Sequence, residues 1–80
     1  MQRYYFDIHS DRHSQLDETG TEFSSMAEVR KEAMRVLPAL AAEEVPKDGD
    51  KQGFTVLVTD SAGRPVYSAT LSYIGLNLLR

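Results

Sequence analysis

The sequence predicts an α+β fold in which an antiparallel four-stranded sheet carries one helix on one face, in the order β-β-α-β-β. Two observations lead to this prediction. Segments in which apolar and polar residues alternate lie at both ends of the chain, and a segment with helical apolar spacing lies between them. At 80 residues, the chain is expected to form one small domain, residues 1–80, with a single core.

The first strand is predicted over residues 3–9, where every second residue is apolar. The residues of this strand that should face the helix are Tyr4, Phe6 and Ile8. The polar residues 10–14 should reverse the chain, and a short extended segment at residues 15–17 should pair with the first strand as a hairpin. Residues 17–20, Asp-Glu-Thr-Gly, predict a second turn that ends on a glycine with positive φ.

The helix is predicted to begin after Ser25, because Ser25 and Glu28 have the spacing of a capping box. Apolar residues then recur at spacings of three and four and form one stripe for the core, namely Met26, Val29, Ala33, Val36, Leu37 and Leu40. Pro38 has no backbone N–H, so we expect a bend there. The helix should end before residue 45, and residues 46–53 should be an exposed connection.

Two further strands are predicted in the second half of the chain. Residues 54–59 alternate and are rich in β-branched and aromatic types, and residues 65–73 alternate in the same way. Residues 60–63 should close the hairpin between them. The side chains expected to face the helix are Phe54, Val56, Val58, Tyr67 and Leu71.

Composition and charge argue against several functional classes. The chain carries twelve acidic and nine basic side chains, a net charge of -3, and the basic residues are scattered. Nucleic-acid binding is therefore not expected, because it depends on clustered lysine and arginine. The absence of cysteine fits a cytoplasmic protein. Neither a membrane-spanning run nor a signal peptide is recognisable, so no membrane association is predicted.

One segment could bind a metal ion. Asp7, His9, Asp11 and His13 occupy every second position, and on a continuous strand they would share a face. This favours, as an alternative function, a metal-binding protein or a small metal-dependent hydrolase. The competing interpretation is that they are solvent-facing strand and turn residues. Glycine-rich phosphate loops and nucleophile motifs are missing from the sequence, so no catalytic residue or cofactor is predicted.

The preferred prediction is a non-catalytic protein-interaction or regulatory module that forms a homodimer or binds another protein. A sheet covered by one helix leaves its other face open, and Tyr5 and Leu57 should lie there. The leucines near the end of the sequence, Leu76, Leu78 and Leu79, should either cover this open face or form a patch for another chain. Nucleic-acid binding through the open face is a further alternative.

Four segments resemble a known family: Arg-Tyr-Tyr-Phe-Asp-Ile-His at residues 3–9, Asp-Glu-Thr-Gly-Thr-Glu-Phe at 17–23, Glu-Ala at 32–33 and Gly-Arg-Pro-Val-Tyr at 63–67. The family consists of short alphaproteobacterial proteins known as a domain of unknown function. The resemblance covers nearly the whole chain and implies a small bacterial cytoplasmic protein. The chain is also similar, more weakly, to antitoxins whose acidic sheet-and-helix domain covers a basic toxin, which implies an antitoxin-like role as another alternative.

Overall fold

The computed structural model describes residues 1–11 and 13–79, apart from the side chain of Asp48. This part of the chain contains one helix and five strands. The elements are β1 (Gln2–Ser10), β2 (Ser14–Gln15), β3 (Thr21–Phe23), α1 (Met26–Asp48), β4 (Lys51–Thr59) and β5 (Pro65–Ile74). The predicted fold class, an antiparallel sheet with one helix, is confirmed, with five strands instead of four.

The fifth strand arises because two short segments share one edge of β1. The sheet has the order β2-β1-β4-β5, all pairs are antiparallel, and β3 also pairs with β1. β2 pairs near the end of β1, where Gln15 is opposite Ile8, and β3 pairs near its start, where Phe23 is opposite Gln2. The predicted hairpin partner at residues 15–17 therefore lies at residues 14–15, and the residues after the second turn form a strand of their own.

The core lies between α1 and the face of the sheet that was predicted to carry it. Tyr4, Phe54, Val56 and Val58 are buried, and the other predicted residues of this face, Phe6, Ile8, Tyr67 and Leu71, pack against them. From the helix, Val29, Ala33 and Leu37 are buried, and Ala41 and Val45 continue this row at intervals of four residues. Met26 was predicted to join the core but is 38% exposed. It lies three residues before Val29 and so falls outside the row.

The helix continues through both of its prolines. α1 runs to Asp48 without a break at Pro38 or Pro46, so the predicted end before residue 45 is wrong, and only residues 49–50 connect α1 to β4. A proline inside a helix removes the donor for the carbonyl four residues earlier. Those carbonyls belong to Met34 and Ala42, which are exposed like the prolines themselves. Water can therefore hydrate both carbonyls, which lowers the cost of the two prolines.

The helix start has the predicted cap in a modified form. The Ser25 hydroxyl accepts a hydrogen bond from the Glu28 N–H at 3.3 Å. The Glu28 carboxylate accepts from the N–H of Ser24 at 2.9 Å and from its hydroxyl at 2.8 Å, one residue earlier than a capping box requires. These two bonds lower the pKa of Glu28. No helix in the described residues is long and apolar enough to cross a membrane.

The predicted turn at residues 17–20 is held to β1 by one carboxylate. Asp17 Oδ1 accepts from the N–H groups of Thr19 at 3.2 Å and Gly20 at 2.9 Å, and Oδ2 accepts from the N–H of Phe6 at 3.0 Å. Burial raises the pKa of Asp17, but the hydrogen bonds from these amides outweigh burial and lower its pKa overall. Gly20 has a φ of 75°, as predicted.

Candidate interaction surface

The outer side of β5 is a free sheet edge. Within the described residues β5 pairs only with β4, so the backbone groups on the other side of this ten-residue strand are open to another strand. Residues 65–79 contain no charged side chain, although charged residues make up 26% of the chain. Free edges are usually protected by charged residues, by prolines or by a short length. Here Pro65 protects only the first position, so the rest of the edge is suited to pairing.

Beyond β5, residues 75–79 form a tail that carries exposed leucines. The Gly75 N–H donates to the Asp50 carbonyl at 2.7 Å and extends the pairing with β4 by one residue. Leu76, Leu78 and Leu79 are 76%, 85% and 91% exposed. Side chains that are exposed to this extent do not pack against the rest of the described chain, so these leucines do not cover the open face of their own sheet.

An apolar groove lies beside the tail, between the last turns of α1 and the second half of β5. Its volume is about 320 Å³. The lining residues, nearly all apolar, are Ala41, Ala42, Val45, Pro46, Phe54, Leu71, Ser72 and Tyr73. The alanines leave space that a larger side chain would fill. We call the free edge of β5, the tail and this groove together the C-terminal apolar surface.

A buried glutamine supports the helical wall of the groove. Gln52 is 9% exposed, and its Nε2 donates to the carbonyls of Val45 at 3.0 Å and Gly49 at 2.8 Å. The last carbonyls of a helix have no intrahelical donor, so this amide acts as their cap. It stabilises the turn around Pro46 and keeps Val45 against the sheet. Sequence reasoning missed Gln52, because its position suggested an exposed connection.

Tyr5 and Leu57, the other two predicted interaction residues, lie on the open face of the sheet and are half-buried. Leu57 is directly opposite Ser68 of β5. Tyr5 lies on β1, which β4 separates from β5, and its ring packs close to Gly20. The structure therefore does not bring Tyr5 together with the leucines of the tail.

Asp7 and His9, two of the predicted metal residues, each have a partner on the β2 side of β1. Asp7 Oδ1 accepts from the Asp17 N–H at 2.9 Å, which ties the chain after β2 to β1. His9 Nδ1 lies 3.1 Å from the Ser14 hydroxyl, its cross-strand neighbour. Both side chains thus take part in holding this edge of the sheet together.

Asp11 and His13, the other two, lie in the loop after β1, and each lines a cleft of about 210 Å³. Asp11 Oδ2 lies 3.4 Å from the Gly53 N–H, and the side chain of His13 is exposed. Glu44 of α1 lines both clefts, a placement that the sequence did not predict. In residues 1–11 and 13–79, no three histidine, aspartate or glutamate side chains are grouped so that they could hold a metal ion.

Comparison with known proteins places the chain in a family. A family model described as Domain of unknown function (DUF6894) matches residues 3–72. The matched region contains the helix and all five strands, apart from the first residue of β1 and the last two residues of β5, and it leaves out the tail. No curated protein and no solved structure has a significant match to the chain. The chain belongs to this family of unknown function.

Proposed function

We propose that this family member is a non-catalytic protein-interaction module of the bacterial cytoplasm, and that it associates with itself through the C-terminal apolar surface. The observation that carries the proposal is the set of three leucines, each more than three-quarters exposed, on a charge-free segment beside an apolar groove. Exposed apolar groups that are adjacent to one another commonly mark a protein–protein contact.

The energetics of leucine burial support association. Burying one leucine side chain stabilises a complex by about 1.5–3 kcal/mol, and a symmetric dimer buries each leucine twice. Placing a carboxylate at one of these positions should therefore weaken the dimer by about 3–6 kcal/mol, which corresponds to a factor of 100 or more in the dissociation constant. An effect of this size is readily measured.

Sedimentation velocity tests the proposal. Protein concentrations of roughly 1 to 100 μM are suitable, because modest interfaces have micromolar affinities. We expect a dimer for the unmodified chain and a monomer for Leu78→Asp over the same range. Leu16→Asp is the matched control, because Leu16 is 66% exposed and lies beyond β2, at the opposite side of the sheet from β5. It should remain dimeric. An unmodified chain that stays monomeric at the highest concentration would refute the proposal.

A further inference from the structure

From the same surface we infer how two copies join: the β5 strands pair antiparallel about a two-fold axis at Ile74, and the tail of each copy adds to the β5 edge of the other. Residues 75–79 of one copy then lie opposite residues 69–73 of the partner subunit. The inference rests on the proposed self-association and specifies its geometry. It would extend one sheet continuously across both copies.

The symmetry of antiparallel pairing limits the possible arrangements. In an antiparallel pair, the numbers of directly opposed residues have a constant sum along the strands. When two identical strands pair about a two-fold axis, one residue must therefore lie opposite its own copy. The register of the two strands is therefore fixed by which residue between 65 and 79 is self-paired.

Coverage of the exposed apolar residues leaves two candidates for the self-paired residue, Ser72 and Ile74. If Thr70 were self-paired, the β5 strands would cover each other, but Leu78 would lie beyond the partner strand, opposite residue 62 in the loop between β4 and β5. If Leu78 were self-paired, most of the β5 edge would stay free. With Ser72 or Ile74 self-paired, the tail and the second half of β5 are both covered. Of these two registers we choose the one about Ile74, because Ile74 is 68% exposed and would pack against its own copy, whereas the other register would place two serines there.

The resulting pairs are chemically compatible. Even-numbered residues of β5 face the open side, since Thr70 is opposite Thr55 of β4 and the two hydroxyls are 3.0 Å apart. Leu76 would lie opposite Ser72 of the partner subunit, so small polar side chains leave room for the leucine. On the helix side Gly75 would lie opposite Tyr73 of the partner subunit, and an aromatic ring packs favourably over a glycine in a neighbouring strand.

The area that this arrangement buries is that of a modest interface, because Ile74, Leu76 and Leu78 would face the open side of the sheet and be covered only by neighbouring side chains. Ile74, Leu76, Leu78 and Leu79 are 68–91% exposed. Full burial of one such side chain removes roughly 60–120 Å² of apolar surface from water, so the eight side chains of a dimer contribute about 400–800 Å². The surfaces that they cover contribute a comparable area. The total of about 800–1,600 Å² is thus an upper limit that reaches the range of stable interfaces, about 1,200–2,000 Å², only at its high end, and main-chain hydrogen bonds between the two strands supply part of the affinity.

Single-cysteine variants test the register, and the chain is suited to them because it contains no cysteine. Directly opposed residues have Cα atoms about 4.5–5.5 Å apart, within the 4.4–6.8 Å that a disulfide spans. Under mild oxidation we expect I74C to form a covalent dimer at least about 10-fold faster than T70C, because only the self-paired position meets its own copy. A mixture of the S72C and L76C variants should form a disulfide-linked dimer of one copy of each, because residues 72 and 76 of the two copies lie opposite each other in this register.

Sedimentation of the same variants under reducing conditions separates the two proposals. If they are dimeric and either T70C or S72C alone cross-links faster than I74C, or none of the three cross-links, the register is wrong but the self-association stands. If the reduced variants and the unmodified chain are all monomeric, the proposed function fails as well. Rapid cross-linking of I74C in a reduced dimer, with slow cross-linking of T70C, supports the register.

Discussion

Replacing Gly20 by alanine should destabilise the fold more than the same change at any other glycine with positive φ. Gly20 has a φ of 75°, and a Cβ there would lie 2.8 Å from Arg3 Cγ and 2.8 Å from Tyr5 Cε2. The left-handed backbone alone costs alanine about 1–2 kcal/mol. Displacing two packed side chains of β1 adds about 1–2 kcal/mol, by analogy with overpacking. The expected loss is therefore about 2–4 kcal/mol.

Gly63→Ala is the matched control, because Gly63 has a φ of 80° but nothing within 4 Å of the added Cβ. It should lose only the backbone contribution. The difference of about 1–2 kcal/mol between the two variants corresponds to about 4–16 °C in Tm for a domain of this size. Urea unfolding followed by circular dichroism measures it, at one fixed protein concentration because association changes apparent stability. Equal losses in both variants would refute the steric part of the reasoning.

Gln52→Leu should lower the free energy of unfolding by about 1–3 kcal/mol, because the carbonyls of Val45 in α1 and of Gly49 just after it lose the amide that donates to them; a urea midpoint within error of the unmodified chain would contradict this. The folded pKa of Asp17 lies below the ordinary value of 3.8, so its ionised form contributes stability above the unfolded pKa that is lost as pH falls through the folded pKa. The free energy of unfolding of Asp17→Asn should therefore fall less steeply than that of the unmodified chain as the pH drops below about 4. Zinc should leave the imidazole NMR signals of His9 and His13 unshifted, because no three ligating side chains of the described residues are grouped, and shifts in both rings would support the metal-binding alternative.

The sequence predicts the long strands well, because in each of them the alternation of apolar and polar residues continues over several residues. β1, β4 and β5 are nine or ten residues long, and apolar and polar residues alternate over most of each strand. Such alternation is typical of a strand with one buried face. The face that packs on the helix was assigned correctly for this reason. β2 and β3 have two and three residues. Segments this short carry no period, and their pairing is decided by β1 and by the hydrogen bonds of Asp17.

The end of the helix is the main error, and its cause is tertiary. Rules for proline describe the donor that is lost, and not whether water can replace it or whether packing holds the next turn. In this fold Ala42 is exposed, Val45 packs on the core, and Gln52 caps the last turn. None of these contributions can be inferred from the neighbourhood of Pro46 alone.

The same error hid half of the candidate interaction surface. Composition alone identifies the tail leucines, because three leucines within four residues are unusual on an exposed segment. The groove beside them exists only because α1 continues past residue 45, so that Ala42 and Pro46 face Tyr73 across it. With the helix ended earlier, the leucines have no apolar neighbour and could be assigned to the open face. The predicted interaction through Tyr5 rests instead on the open face of the sheet, which the length of α1 does not change, so only the groove beside the leucines depends on whether Pro46 ends the helix.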